Sequence, residues 1–176
     1  MRKITLAALA FAGAAALAGV TAVPAFAADD TTPVTVTVSA GALSINAPAS
    51  ESLWEDTPGT SVVTMMQPTV VSDKRSGTAG WVVTVTLPVL TGTATSGNAT
   101  IATTGAGYEA QNADTTGTVW VTKAASFTNL TTAKTIQTAT GVSGNNGATW
   151  YGALTIPVPA DALADTYSGT LTLSVT

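Results

Sequence analysis

Four stretches of this chain alternate apolar and other residues with a period of two, and this alternation constrains the fold more than any other feature. Val34, Val36 and Val38 oppose Thr35 and Thr37; Trp81, Val83, Val85 and Leu87 oppose Val82, Thr84 and Thr86. Leu154, Ile156 and Val158 oppose Thr155, Pro157 and Pro159; Tyr167, Gly169, Leu171, Leu173 and Val175 oppose Ser168, Thr170, Thr172 and Ser174. Side chains of an extended strand point alternately to two faces, so each stretch reads as a half-buried antiparallel strand. Thr is the most frequent residue and Val is also plentiful, and β-branched side chains suit strands better than helices. Residues 42–45, 62–65, 69–72, 117–121 and 134–138 are weaker strand candidates. Turn signals fall between them: Pro58-Gly59, Ser76-Gly77, Ser96-Gly97-Asn98 and Ser143-Gly144-Asn145-Asn146-Gly147. The pattern predicts an all-β fold, an immunoglobulin-like antiparallel β-sandwich of roughly 8–9 strands. Pro157 and Pro159 lack an N–H, which assigns their strand to a sheet edge. Residues 91–118 read as a long loop with one strand near 100–103, and residues 160–164 as one helical or 3₁₀ turn.

The front of the chain reads as an export signal. Arg2 and Lys3 precede an apolar run from Ile4 to about Val23, Pro24 breaks it, and Ala25-Phe26-Ala27 is an A-x-A cleavage pattern. A retained membrane anchor is the competing reading, disfavoured by Pro24 and the small residues at the cleavage position. Residues 1–27 are therefore expected to be a signal peptide, 28–33 a flexible lead and 34–176 one β-sandwich domain. No second apolar run approaches the ~20 residues needed to span a bilayer, so no membrane insertion is expected after cleavage. The expected location is outside the cell.

Charge and composition narrow the function classes. The chain has six basic and ten acidic residues; without Arg2 and Lys3 four basic residues remain, giving a net charge of −6. That balance argues against nucleic acid, which is held by Lys and Arg on phosphates. It equally disfavours long-range attraction to anionic polymers or lipids. The chain has no His and no Cys, which removes the commonest general base, all thiol nucleophiles and the usual zinc ligands. A glycosidase needs two facing carboxylates, which Glu51, Glu55, Asp56, Glu109 and Asp114 could supply, but their spacing does not point to it. The expectation is a non-enzyme with no catalytic residues, no metal site and no cofactor.

Two segments carry a resemblance. Asp73-Lys74-Arg75 precedes Gly80-Trp81-Val82-Val83-Thr84-Val85, and Tyr167, Leu171, Thr172, Leu173 and Val175 recur at fixed spacing near the end of the sequence. This arrangement resembles the WxL-type surface domains of Gram-positive bacteria, with Val83 in place of a Leu, Leu173 in place of the second Trp and Val175 in place of the last Leu. An upstream stretch, Gly41-Ala42-Leu43-Ser44-Ile45-Asn46-Ala47-Pro48, also fits. The resemblance implies a secreted, non-catalytic protein, associated with the cell wall and binding peptidoglycan non-covalently. The alternative is an extracellular assembly subunit that binds another surface protein by strand or face pairing; the oligomeric state is open. Trp81 reads as a core residue in register with Val83 and Val85, or as part of a ligand groove. Trp54 and Trp150 could offer a flat face to a sugar, or, like Trp120 and Tyr151, cover the ends of the core; Trp54, Trp150 and Tyr151 join Trp81 as the candidate ligand-binding residues. Asp73 and Arg75 are expected to form a surface ion pair or to fix the turn before Trp81. The Tyr167 hydroxyl is expected to bond backbone at the entry to the last strand.

Overall fold

The computed structural model describes residues 32–53, 57–93 and 99–176. The expected signal peptide, residues 28–31 of the lead, and Trp54, Glu55 and Asp56 lie outside the described residues. Contacts divide the chain into Met1–Val36 and Thr37–Thr176. The described residues of the first unit, 32–36, form no strand or helix.

In the second unit the strands are β1 (Leu43–Asn46), β2 (Ser61–Met65), β3 (Thr69–Asp73), β4 (Trp81–Thr86), β5 (Val89–Gly92), β6 (Thr100–Ala102), β7 (Gly107–Ala110), β8 (Asp114–Lys123), β9 (Phe127–Thr128), β10 (Lys134–Trp150), β11 (Gly152–Pro157), β12 (Tyr167–Ser168) and β13 (Thr172–Val175). No helix occurs among the described residues. The fold is all-β, as the alternation predicts. The strands form three antiparallel sheets, consistent with the expected β-sandwich, and number 13 among the described residues where 8–9 were expected. β2, β11, β7 and β9 make the second sheet; β12, β5 and β6 make the third.

The first sheet is organised by β10. Residues 137–139 of β10 pair with β4 on one edge and with β8 on the other, and residues 146–149 pair with β3 on one edge and with β8 on the other. β3 and β4 therefore follow one another along a single edge of β10, as one long strand interrupted at residues 74–80. Outside them, β1 pairs with β3 and β13 with β4. The sheet is thus four layers of strand wide: β8, β10, β3 with β4, and β1 with β13.

Alternation puts Trp81, Val83 and Val85 of β4 in the core, each 0–1% exposed, and leaves Val82, Thr84 and Thr86 facing outward. They meet Ile136, Ala139, Ala148 and Trp150 of β10, Tyr108 of β7, and Leu154 and Ile156 of β11. Burying one large apolar side chain contributes about 1.5–3 kcal/mol, so these residues dominate stability. Burial pushes the Tyr108 phenol above its ordinary range, and the neighbouring Trp150 indole partly opposes that shift. The Trp150 N–H is itself buried without a partner in hydrogen-bond geometry.

Several expectations are corrected. The Val34, Val36 and Val38 stretch forms no strand; its valines are 92%, 85% and 77% exposed, because alternation supplies propensity and a strand also needs a partner edge. β11 is internal, between β2 and β7. Pro157 is tolerated there because pairing with β7 ends at Thr155, so no neighbour needs the missing N–H. The Ser143 to Gly147 turn signal is no reversal. It lies inside β10, where register shifts follow Thr140 and Ser143, and Gly141 and Gly144 take positive φ. Residues 91–118 hold β6, β7 and the ends of β5 and β8. The last predicted strand is two, β12 and β13, in different sheets. Residues 160–164 contain a turn closed by Ala162 N–H donating to Pro159 O (3.1 Å).

Candidate functional site

The Asp73-Lys74-Arg75 and Gly80-Trp81 motif builds one hydrogen-bond cluster around a buried carboxylate. Asp73, at the end of β3, is 2% exposed. Arg75 Nε donates to Asp73 Oδ1 and its Nη2 to Oδ2, both at 2.9 Å, forming a two-pronged pair. The same Nη2 donates to the carbonyls of Ala79 (3.1 Å) and Gly80 (3.0 Å), closing the 74–80 excursion upon itself. Asn146 of β10 bridges the rest: its Nδ2 donates to Asp73 Oδ2 (3.2 Å), and its Oδ1 accepts from the Trp81 indole (3.0 Å). Gly80 backs onto β10 so closely that a Cβ would stand 2.3 Å from Ala139 O. Hydrogen bonds from the Arg75 side chain hold the Asp73 carboxyl down, from its usual 3.8 to about 2, against the opposing effect of burial; the Arg75 N–H and Asn146 help. The pair thus joins a buried carboxylate to a guanidinium that is 31% exposed, and the bonds of Arg75 to Ala79 and Gly80 hold the turn before Trp81, the second of the two expected roles.

This geometry fixes what the candidate aromatics can do. Trp81 and Trp150 are each 1% exposed, so neither presents a ring face to a ligand. Trp150 is buried because the residues before it are strand, not a turn. Tyr151 is half exposed, at the corner where the chain leaves β10 for β11 and the first sheet for the second. The Tyr167 hydroxyl donates to Leu163 O (3.0 Å), the backbone bond expected of a corner tyrosine. Val83, Leu171, Leu173 and Val175 pack in or against the core, and Thr172 faces outward. The motif residues are thus brought together as scaffold.

The most exposed of the described aromatics is Trp120, in the middle of β8 and 74% exposed. Trp120 stands opposite Thr140, next to Gly141, which has a φ of +61°. A Cβ at Gly141 would lie 2.5 Å from Trp120 Cδ1, so the indole rests directly on the glycine backbone. Around it the outer face of the sheet carries hydroxyls. Thr118 and Thr122 flank Trp120 on β8, Thr138 and Thr140 face it from β10, Val82 stands opposite Thr138 on β4, and Thr84 and Ser174 continue the face across β4 and β13. The face is neutral over this span; the nearest charge along β8 is Lys123, tied to Glu109 at 3.1 Å.

No known protein family, curated protein or solved structure matches the chain. Its chemistry therefore has to be read from the face itself. An uncharged array of hydroxyls with one exposed indole can hydrogen-bond to and stack on a polyhydroxylated ring. Sequence reasoning gave Trp120 no binding role because β8 carries only a weak strand signal, with five exposed residues at its start. The usable signal was the pairing of a Trp in a Thr run with a glycine about twenty residues later.

Proposed function

We propose that this is an exported, non-catalytic cell-surface protein that holds neutral glycan of the Gram-positive cell wall, with peptidoglycan as the ligand, through the outer face of its first sheet. The observation that carries the reading is Trp120, exposed and lying on Gly141 among threonine hydroxyls. The acidic balance of the chain supports a neutral ligand, held by stacking and hydrogen bonds rather than by ion pairs. The resemblance of the Asp73 to Val85 and Tyr167 to Val175 segments to WxL-type domains supports the wall as the source of that glycan. In this reading the motif residues keep the scaffold rigid and Trp120 makes the contact.

The test is co-sedimentation of the purified protein with insoluble wall sacculi over a range of salt concentrations. The wild type pellets with little dependence on salt. Trp120→Ala, exposed and so without consequence for folding, weakens binding at least about tenfold, a loss of about 1.4 kcal/mol. Protein left in the supernatant under every condition, or a W120A variant that pellets like the wild type, refutes the proposal.

A further inference from the structure

β8 lies at the edge of the first sheet and, among the described residues, pairs with β10 alone. Ala124 N–H donates to Ile136 O (3.0 Å), one step beyond the Lys123–Gln137 pair, so Trp120, Thr122 and Ala124 turn their backbone groups to β10. By alternation Val119, Val121 and Lys123 turn theirs to the open side. Sheet edges are ordinarily blunted by charge, by proline or by shortness. β8 runs for ten residues and holds neither a charge nor a proline between Asp114 and Lys123. Its middle is also uncovered: Thr118 and Thr122 are exposed, and Trp120 is 74% exposed.

Such an edge accepts another strand, and the sequence of β8 says which one. Thr118-Val119-Trp120-Val121-Thr122 reads the same in both directions. Antiparallel pairing of this segment with a copy of itself, centred on Trp120, sets every side chain opposite its own type. Trp120 meets Trp120, each Thr118 meets Thr122, and each Val119 meets Val121. Val119 and Val121 then exchange the backbone hydrogen bonds, as their open groups require. The two indoles meet in a non-hydrogen-bonded pair, where side chains stand closest. Aromatic–aromatic and Thr–Thr pairs are among the stabilising cross-strand contacts. Val119 and Val121 face inward against the core, so their pairs extend the apolar side of the sheet. At the ends Lys123 meets Gly117, and no like charges are opposed. Gly117, with a φ of +73°, lies just outside the palindrome, which therefore holds no positive φ.

We propose that two copies of this chain associate through β8, antiparallel about a two-fold axis at Trp120, and so join their first sheets into one. The pairing uses the same edge on both copies and closes on itself, so it builds a dimer and not a chain of subunits. The two indoles lie side by side on one outer face, each against its own Gly141. The dimer rests on the open edge and its palindrome, independently of the glycan reading; where Trp120 holds glycan, the paired indoles are the stacking surface.

The test is light scattering on size-separated protein, without wall material. The wild-type mass rises with concentration from the monomer to twice the monomer and no further. Thr118→Lys combined with Thr122→Lys, both on exposed side chains, opposes like charges twice across the interface. It raises the dissociation constant about tenfold. Glu at the same two positions does the same. Mixed one to one, the Lys and Glu variants recover a dimer at least as tight as the wild type, because each Lys then faces a Glu. That recovery also shows that both variants fold, and it requires the centring on Trp120. A wild type that stays monomeric up to millimolar concentration overturns the proposal. So does an assembly larger than two, a Lys variant that dimerises like the wild type, or a mixture that stays monomeric. Sacculus binding is read separately: a monomer that still pellets removes the dimer alone, and a dimer that does not pellet removes the glycan reading alone.

Discussion

At Asp73 three donors converge on one buried carboxylate: the Arg75 guanidinium, the Arg75 backbone N–H and the Asn146 amide. Together they depress its pKa from 3.8 to about 2. A carboxyl that titrates lower in the folded state than in the unfolded one stabilises the fold fully above the unfolded pKa. That stabilisation is lost as pH falls through the folded pKa. The window is therefore about pH 4 down to pH 2, and the amount is about 2 kcal/mol. Asp73→Asn keeps the shape but removes the counter-charge of the partly exposed Arg75 head, and is expected to cost about 2 kcal/mol at neutral pH. It should also flatten the acid limb of stability. Urea unfolding followed by tryptophan fluorescence, at neutral pH and at points down to about pH 2, measures both. Parallel acid loss in wild type and D73N would remove Asp73 from the account. The sequence showed Asp73 and Arg75 as a pair and could not show the carboxylate buried. Asn146, which donates to that carboxylate, stands 73 positions downstream within what reads locally as a turn.

Among the elements, β10 departs furthest from local signals. Its glycines do not reverse the chain; they absorb extra residues, so that one strand of 17 residues continues past two register shifts. Gly144 N–H donates to Gly77 O (2.9 Å), so the irregular part of β10 lies against the 74–80 excursion between β3 and β4. Two glycines at this bulge separate backbone strain from steric overlap. Gly144 has a φ of +72° and open space where a Cβ would stand. Gly144→Ala should cost about 1 kcal/mol, the price of a left-handed non-glycine residue. Gly117, on β8, has a φ of +73°, and its Cβ would stand 2.3 Å from Asn145 O. Gly117→Ala must also push two strands apart and should cost at least about 3 kcal/mol. Chemical denaturation of the two variants decides it, and equal losses would mean that strain alone operates at both positions. The same contrast explains what was legible in the sequence. β4, β11 and β13 are half-buried and regular, so period two marked them. β10 is bulged, and β8 is exposed at one end, so neither carries a clean alternation. Trp120 went unassigned for that reason, since its role depends on a cross-strand glycine.

Across the whole molecule the first sheet is closed by pairings between distant parts of the chain. Thr172 stands opposite Thr86 and Val175 opposite Val83, while Val82 and Thr176 exchange both backbone hydrogen bonds (2.9 and 3.0 Å). β13 thus caps the edge of β4, whose Trp81, Val83 and Val85 form the centre of the core. Leu173 and Val175 pack against that core from the outermost layer. Deleting residues 172–176 removes two apolar side chains, worth about 2 kcal/mol each. It also removes a short ladder worth about 1 kcal/mol per bond. That sum approaches the 5–15 kcal/mol by which domains are stable at all. The shortened chain should therefore keep its far-ultraviolet strand signal, lose its near-ultraviolet tryptophan signal, and bind a hydrophobic dye. A synthetic peptide of residues 170–176, which restores the missing layer, should recover the near-ultraviolet signal. A deletion variant that melts like the wild type would show that β4 holds its place without β13. Because β13 is the last strand of the sheet and pairs with one near the middle of the chain, the core closes only after long loops are drawn in. Refolding of the intact chain is expected on the millisecond-to-second scale of other non-local β folds, measurable by stopped-flow tryptophan fluorescence.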